Sequence, residues 1–269
     1  MMKTFSLPFG KGTQTVSLDE AHVLYDLHGN PVDAVADEQE AIRQALRHPI
    51  GSAPLKDVVQ AGDTVAIIVS DITRLVHTAQ MLPVIVDELN QAGVRDEQIT
   101  VVTAQGTHRA HRPEEDVIVC GEDMVKRVKV VSHDCRDASQ LTKIGTTTHG
   151  NDVYLDSHVV QADKVILTGA VSFHPMAGFG GGRKAVLPGV ASYETIMRNH
   201  AMALTDTFGG GCNPRCETSL LEDNPLHDDM KQAAALLNPC FLVNTVFSAD
   251  GDLYEVVGGH WYDAWKKRL

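Results

Sequence analysis

The sequence contains no apolar run that approaches the roughly 18 residues of a membrane-spanning helix, so no membrane partner is expected. Its first residues, MMKTFSLPFGKG, lack the apolar stretch of a secretion signal, and a cytoplasmic location is the expectation. Positive charge is scarce. Lys and Arg number 23 against 35 Asp and Glu, a formal net charge of -12. That balance argues against nucleic acid as a partner. It leaves a small anionic ligand open, because local charge can oppose the global sum. Cysteines number only five, odd and scattered, which fits a reducing compartment. There is no internal repeat and no low-complexity tract. No H-E-x-x-H or C-x-x-C motif is present. Against these absences stand 43% hydrophobic residues, enough for a sizeable core, and thirteen histidines.

One stretch resembles a phosphate loop but fits neither common form. SFHPMAGFGGGRKAVLPG, residues 172–189, packs four glycines into five residues before Arg183 and Lys184. A P-loop needs Gly before its Lys and Ser or Thr after it, where Arg183 and Ala185 stand. A dinucleotide fingerprint needs a third Gly where Arg183 stands. A backbone without Cβ atoms and two adjacent cations still suit an anion, so Gly180, Gly181, Gly182 and Arg183 are candidate contacts. A bare flexible turn is the alternative.

Hydrophobic periodicity organises the rest. Helices are expected over residues 37–50, 78–93, 113–127, 192–204 and 226–237, with Thr78 and Ser192 as caps and Gly93 as a stop. Buried strands are expected over 63–71, 98–106, 128–134 and 164–169. GTTTHGNDVYLD reads as a hairpin turning at Gly150-Asn151. CFLVNTVFSADGDLYEVVGG reads as two strands joined by an Asp-Gly turn. The carboxyl end, HWYDAWKKRL, reads as a short amphipathic helix. Alternating strand and helix give an α/β class: a doubly wound, mostly parallel sheet with helices on both faces.

Such sheets bind ligands beyond the carboxyl ends of their strands. Three strands end in DITR (Asp71–Arg74), GTHR (Gly106–Arg109) and FHPMAGFGGGRK (Phe173–Lys184). Each delivers a cation or an imidazole: Arg74, His108, and His174 with Lys184. Any one alone reads equally well as a surface group; the triple coincidence does not. His200 sits near the end of a helix as a solvated residue or a metal ligand. Cys212, Cys216 and His227 allow a zinc site, although a buried-thiol loop explains them more simply.

DITR, GTHR, FHPMAGFGGGRKAVLPGVASYETIMRNH and NPLHDDM, in this order, resemble the nickel-dependent lactate racemase family. The match is to its N-terminal, cofactor-binding domain and covers essentially residues 1–269. The resemblance implies a racemase or epimerase of a 2-hydroxy acid. The reaction would be hydride abstraction and return at a nickel pincer mononucleotide, pyridinium-3,5-bisthiocarboxylic acid mononucleotide. On the matching positions, Lys184 would carry the cofactor covalently and His200 would complete the nickel coordination. His108 and His174 would be the acid/base pair, and Arg74 would hold the substrate carboxylate. Thr73 and the Gly180–Arg183 loop would contact the cofactor. Other proteins would synthesise that cofactor. Leu75 stands where many members have Pro, which suggests a branch whose substrate need not be lactate. The family's C-terminal domain is expected to be missing, because the chain ends about where the linker should begin. Two other readings compete: a cofactor-holding half without turnover, and a zinc hydrolase built from His108, His174 and His200.

Overall fold

Alternate side chains of the run Val65–Ser70 point to opposite faces of a sheet, and both faces are apolar. This is why the run reads as continuously hydrophobic rather than alternating. The computed structural model describes residues 1–10, 12–207 and 209–269. Its first elements are β1 (Met2–Phe9), β2 (Gly12–Asp19), α1 (Glu38–Arg47), α2 (Leu55–Val58), β3 (Val65–Ser70) and α3 (Thr78–Gln91). Then come β4 (Ile99–Ala104), α4 (Pro113–Cys120), α5 (Glu122–Arg127), β5 (Lys129–Ser132), β6 (Leu141–Thr146) and β7 (Asp152–Asp156). The remainder is α6 (Ser157–Val160), β8 (Lys164–Val171), β9 (Phe173–His174), β10 (Gly178–Phe179), α7 (Tyr193–Ala201), α8 (Pro225–Leu237), β11 (Phe241–Phe247), β12 (Leu253–Gly259) and α9 (Asp263–Lys266).

The main sheet has the order β12-β11-β8-β3-β4-β5. All neighbours are parallel except β12, which pairs antiparallel to β11 at one edge. From β3 the chain winds outward through β4 to β5. It then returns to lay β8 on the other flank of β3. The strand order therefore reverses between β3 and β8, and a crevice opens beyond their carboxyl ends. Val65, Ile67 and Val69 face one core, shared with Leu82, Ile85 and Leu89 of α3. Ala66 and Ile68 face the other, shared with Val186, Leu187, Ile196, Met230 and Trp265. The doubly wound class is thus observed.

Local chemistry explains most of the helix boundaries. The Ser192 side chain accepts from the Thr195 N–H and starts α7. Asn224 does the same for the His227 N–H, and Pro225 occupies the first turn of α8, where its missing donor is harmless. Three expectations need correction. The cap of α3 is His77, held at φ +60°, while Thr78 is already inside the helix and buried. The helix expected over 113–127 is two helices, because Gly121 takes φ +91° and breaks the ladder. Met2–Phe9 and Gly12–Asp19 pair as the antiparallel β1–β2 hairpin, which lies apart from the main sheet and was not expected.

No helix among the described residues is long and apolar enough to cross a membrane.

Candidate functional site

The crevice at the strand-order reversal is a cleft of about 350 Å³. Arg74, His108, His174, Lys184 and His200 all line it, together with Asp71, Gln105, Gly180 and Gly181. Arg74 and Asp71 follow β3, His108 follows β4, His174 follows β8, and His200 reaches in from α7. Imidazoles widely separated in the chain therefore meet at one rim of the sheet, as the strand ends imply.

The two candidate acid/base histidines are held differently. His108 Nδ1 lies 2.6 Å from Oδ2 of Asp71, which is buried. The Thr73 hydroxyl donates to Asp71 Oδ1 at 2.7 Å. The carboxylate accepts the Nδ1 proton, so the His108 Nε2 lone pair is left free. At His174 the polarity is reversed. Its Nδ1 accepts from the backbone N–H groups of Met176 and Ala177 at 3.3 and 3.0 Å. Its proton is therefore on Nε2, 3.4 Å from Lys184 Nζ. Burial, then Lys184 and Arg74, push the His174 pKa down to about 4. Burial, then the Arg183 and Arg74 charges, push the Lys184 pKa down to about 7. His200 Nδ1 donates to the Ile196 carbonyl at 3.0 Å, which leaves Nε2 as a free donor atom. Burial and then Lys184 lower its pKa.

Three backbone donors of the glycine loop are committed to packing. The Gly180 N–H donates to the Ser172 carbonyl, Gly182 N–H to Asn244 Oδ1, and Lys184 N–H to the Gly181 carbonyl. These donors are therefore unavailable to a phosphate. A Cβ on Gly181 would meet Asn244 Oδ1 at 2.7 Å and the Ala170 carbonyl at 2.8 Å. A Cβ on Gly182, at φ +56°, would meet Trp265 at 2.7 Å. Gly180 and Gly181 line the cleft, whereas Gly182 does not.

Arg183 also corrects the expectation. It is fully buried on the far side of the loop. There its guanidinium stacks 4.1 Å from the Trp265 ring and donates to His227 Nδ1 and the carbonyls of Ala177, Phe179 and Gly181. Thr73 is likewise outside the cleft lining and acts through Asp71. Gly182→Ala is expected to lower stability by about 1–3 kcal/mol through overpacking, read as a lower urea midpoint. A loop that merely cradled an anion would lose affinity with no change in that midpoint.

Two buried imidazoles give a pH signature. His227 is held down to about 3, by burial and then by Arg183, and His174 down to about 4. Well above pH 6.5 both rings are neutral in the folded and the unfolded chain. As pH falls below 6.5 the unfolded chain takes up protons that the folded chain refuses. Stability is then lost toward the folded values, by up to about 1.4 kcal/mol per pH unit for the buried His227. Urea midpoints should drop between pH 6.5 and 5, before carboxylates titrate.

Sequence reading missed Asp71, although it stood in the DITR motif; an acid at a strand end was the available signal. Among the described residues no group of three or more His, Cys, Asp or Glu is arranged to hold a metal ion. The zinc readings fail on this point. His108, His174 and His200 share a cleft without forming a ligand set. Cys212 is exposed, Cys216 is buried against the Met202 carbonyl and Asn224, and His227 faces Arg183.

Residues 9–209 match the family model described as the lactate racemase N-terminal domain. The lactate racemase of Thermoanaerobacterium thermosaccharolyticum is 31% identical over 96% of this chain, and that of Lactiplantibacillus plantarum is 34% identical over 93%. The chain spans about 60% of the length of the first and 58% of the second. The solved structure of the Thermoanaerobacterium thermosaccharolyticum lactate racemase apoprotein superposes with a TM-score of 0.85 at 30% identity, covering 98% of this chain and 61% of that one. A Thermotoga maritima protein shares the fold, with a TM-score of 0.67 at 21% identity over 90% of this chain and 58% of that one.

Proposed function

Because the chain belongs to the lactate racemase family through its N-terminal domain, we propose that residues 1–269 form the cofactor-holding, acid/base half of a nickel-dependent racemase or epimerase of a 2-hydroxy acid. The carrying observation is the convergence of His108, His174, His200, Arg74 and Lys184 on one cleft.

The residues suit a nickel pincer nucleotide. His200 offers one neutral imidazole nitrogen, and no protein cluster among the described residues offers the rest of a coordination sphere. A metal held here takes most of its ligands from a non-protein group. Lys184, with its pKa brought down to about 7, offers a substantial fraction of free amine near neutral pH, the form that bonds covalently to a carbonyl or thiocarbonyl carbon. Bound in this cleft, the cofactor would supply an electron sink for the hydrogen on C2 of the substrate.

The chain's own residues do the remainder. Arg74, exposed at the mouth, presents a planar fork to the substrate carboxylate. His108 Nε2, the nitrogen left facing the cleft when Asp71 accepts from Nδ1–H, takes the hydroxyl proton as C2 loses its hydrogen, and Asp71 then stabilises the charged ring. His174 approaches from another strand end and presents an N–H to the second hydroxyl orientation. It acts as a base only after releasing the two backbone donors on Nδ1. Leu75 and Phe173 stand 62% and 72% exposed near the mouth, an apolar rim that suits a covering domain. All five cysteines are free, in keeping with a cytoplasmic setting.

The test is to produce the chain alongside the cofactor-synthesis proteins and measure nickel content, intact mass and lactate racemisation. Nickel at one per chain with a covalent mass increment supports the proposal. Zinc in place of nickel, with no absorbing cofactor, would falsify it. A second reading, a cofactor-holding domain without turnover of its own, is favoured by His174, whose Nδ1 is held by the Met176 and Ala177 N–H groups so that the ring presents an N–H and not a base. Loaded chain that racemises only after a relative's C-terminal half is added would select that reading.

A further inference from the structure

A second cleft, of about 920 Å³, opens on the opposite side of the glycine loop, where NPLHDDM begins α8. At its floor lies His227, only 4% exposed. Its Nδ1 accepts from Arg183 Nε at 3.0 Å, so the ring proton is on Nε2. No described residue accepts from that Nε2. The sole fully sealed side-chain polar atom without a partner among the described residues is Asn199 Oδ1, so His227 Nε2 opens on the cleft.

Behind His227 the charge of Arg183 lacks a counter-ion among the described residues. The guanidinium is fully buried, and its acceptors are three carbonyls and the neutral imidazole. Donation from Arg183 to Nδ1 polarises the ring and strengthens the outward Nε2–H as a donor. In front, Lys231 and Lys266 converge on the Tyr262 ring, with Nζ 4.9 and 5.9 Å from its centroid. Neither ammonium pairs with a carboxylate among the described residues. Two like charges over one ring beside a buried cation repel one another unless an anion lies between them. The Asp228 carboxylate shares the cleft and feels the Lys231 charge, but it forms no ion pair with either lysine, and its Oδ2 is held by His149 and Gln232 at 2.9 and 2.7 Å. Glu222 and Asp223 are exposed lining residues of the cleft, and their charges disfavour a polyanion.

We propose that this cleft binds a small anion, a carboxylate or a phosphate monoester, gripped by His227 Nε2–H and the ammonium groups of Lys231 and Lys266. The site is separate from the first cleft and does not rest on the racemase reading. Its anion would complete the Arg183–His227 pair that backs the loop carrying Lys184.

The experiment titrates inorganic phosphate, and separately acetate, into the chain at pH 7.5 by calorimetry. Histidine nitrogen resonances are followed in parallel. The Arg74→Gln/Lys184→Gln variant removes the cations of the first cleft and is the reference. It should retain anion binding with a shift at His227 Nε2. Adding Lys231→Gln/Lys266→Gln, at half-buried and exposed positions that leave the core intact, should weaken binding by about tenfold or more. Binding by phosphate alone, or by acetate alone, assigns the anion class. The proposal is overturned if neither anion binds the reference variant, or if the lysine substitutions leave affinity within about twofold.

Discussion

Lys184→Ala is expected to abolish the covalent mass increment of chain produced alongside the cofactor-synthesis proteins, and to reduce bound nickel to background. An ordinary lysine, with pKa near 10.4, is neutral in only about one molecule in a thousand at pH 7.5. Burial and the neighbouring Arg183 and Arg74 charges bring Lys184 to about 7. Roughly three quarters of it is then the nucleophilic free amine at that pH. Lys184→Arg should fail equally, since it keeps a cation but offers no amine. The rate of adduct formation in wild type should rise through pH 7 and level off above 8. An increment that survives in Lys184→Ala would place the attachment elsewhere. Nickel retained at full occupancy in wild type without any increment would remove the tether and leave the cofactor site standing.

How much of this was legible in the sequence depends on distance along the chain. The apolar strands and the histidines at their ends are local features, and the strand-end rule brought His108, His174 and Arg74 to one rim. The side on which each loop residue falls is a tertiary outcome. Positive φ at Gly181 and Gly182 turns the backbone so that Lys184 enters the cleft while its neighbour Arg183 points away. Arg183 is then received by His227 and by Trp265 near the carboxyl end, whose indole also donates to the Gly180 carbonyl at 2.7 Å. Nothing near the loop in sequence announced those partners. The β1–β2 hairpin escaped for a different reason. Phe5, Leu7 and Phe9 alternate with Ser6 and Pro8, and Val16 and Leu18 with Ser17 and Asp19, but these side chains are almost all exposed and pack on no core that would make the period decisive. The helix break at Gly121 escaped because a lone glycine inside an apolar pattern is tolerated in many helices.

Asp71→Asn is expected to lower kcat for racemisation by about 10³-fold, roughly 4 kcal/mol, with KM nearly unchanged. The measurement uses loaded chain joined to whatever C-terminal half activity requires. Asp71 is buried, 2.6 Å from His108 Nδ1, and accepts the proton that keeps Nε2 free. In the variant, the Thr73 hydroxyl continues to donate to the side-chain oxygen it now faces. The new amide N–H₂ is thereby turned toward His108. Two donors cannot share one hydrogen bond, so Nδ1 must become the acceptor and the ring proton moves to Nε2. The base is then blocked at the atom that faces substrate, although no atom has been lost from the cleft. His108→Ala should produce a loss at least as large, with nickel and the mass increment retained. Because Asp71 acts through His108, the two losses should not add: Asp71→Asn introduced into the His108→Ala variant should cost almost nothing more. A kcat within threefold of wild type in Asp71→Asn, or full additivity of the pair, would show that His108 does not work as the base in this orientation.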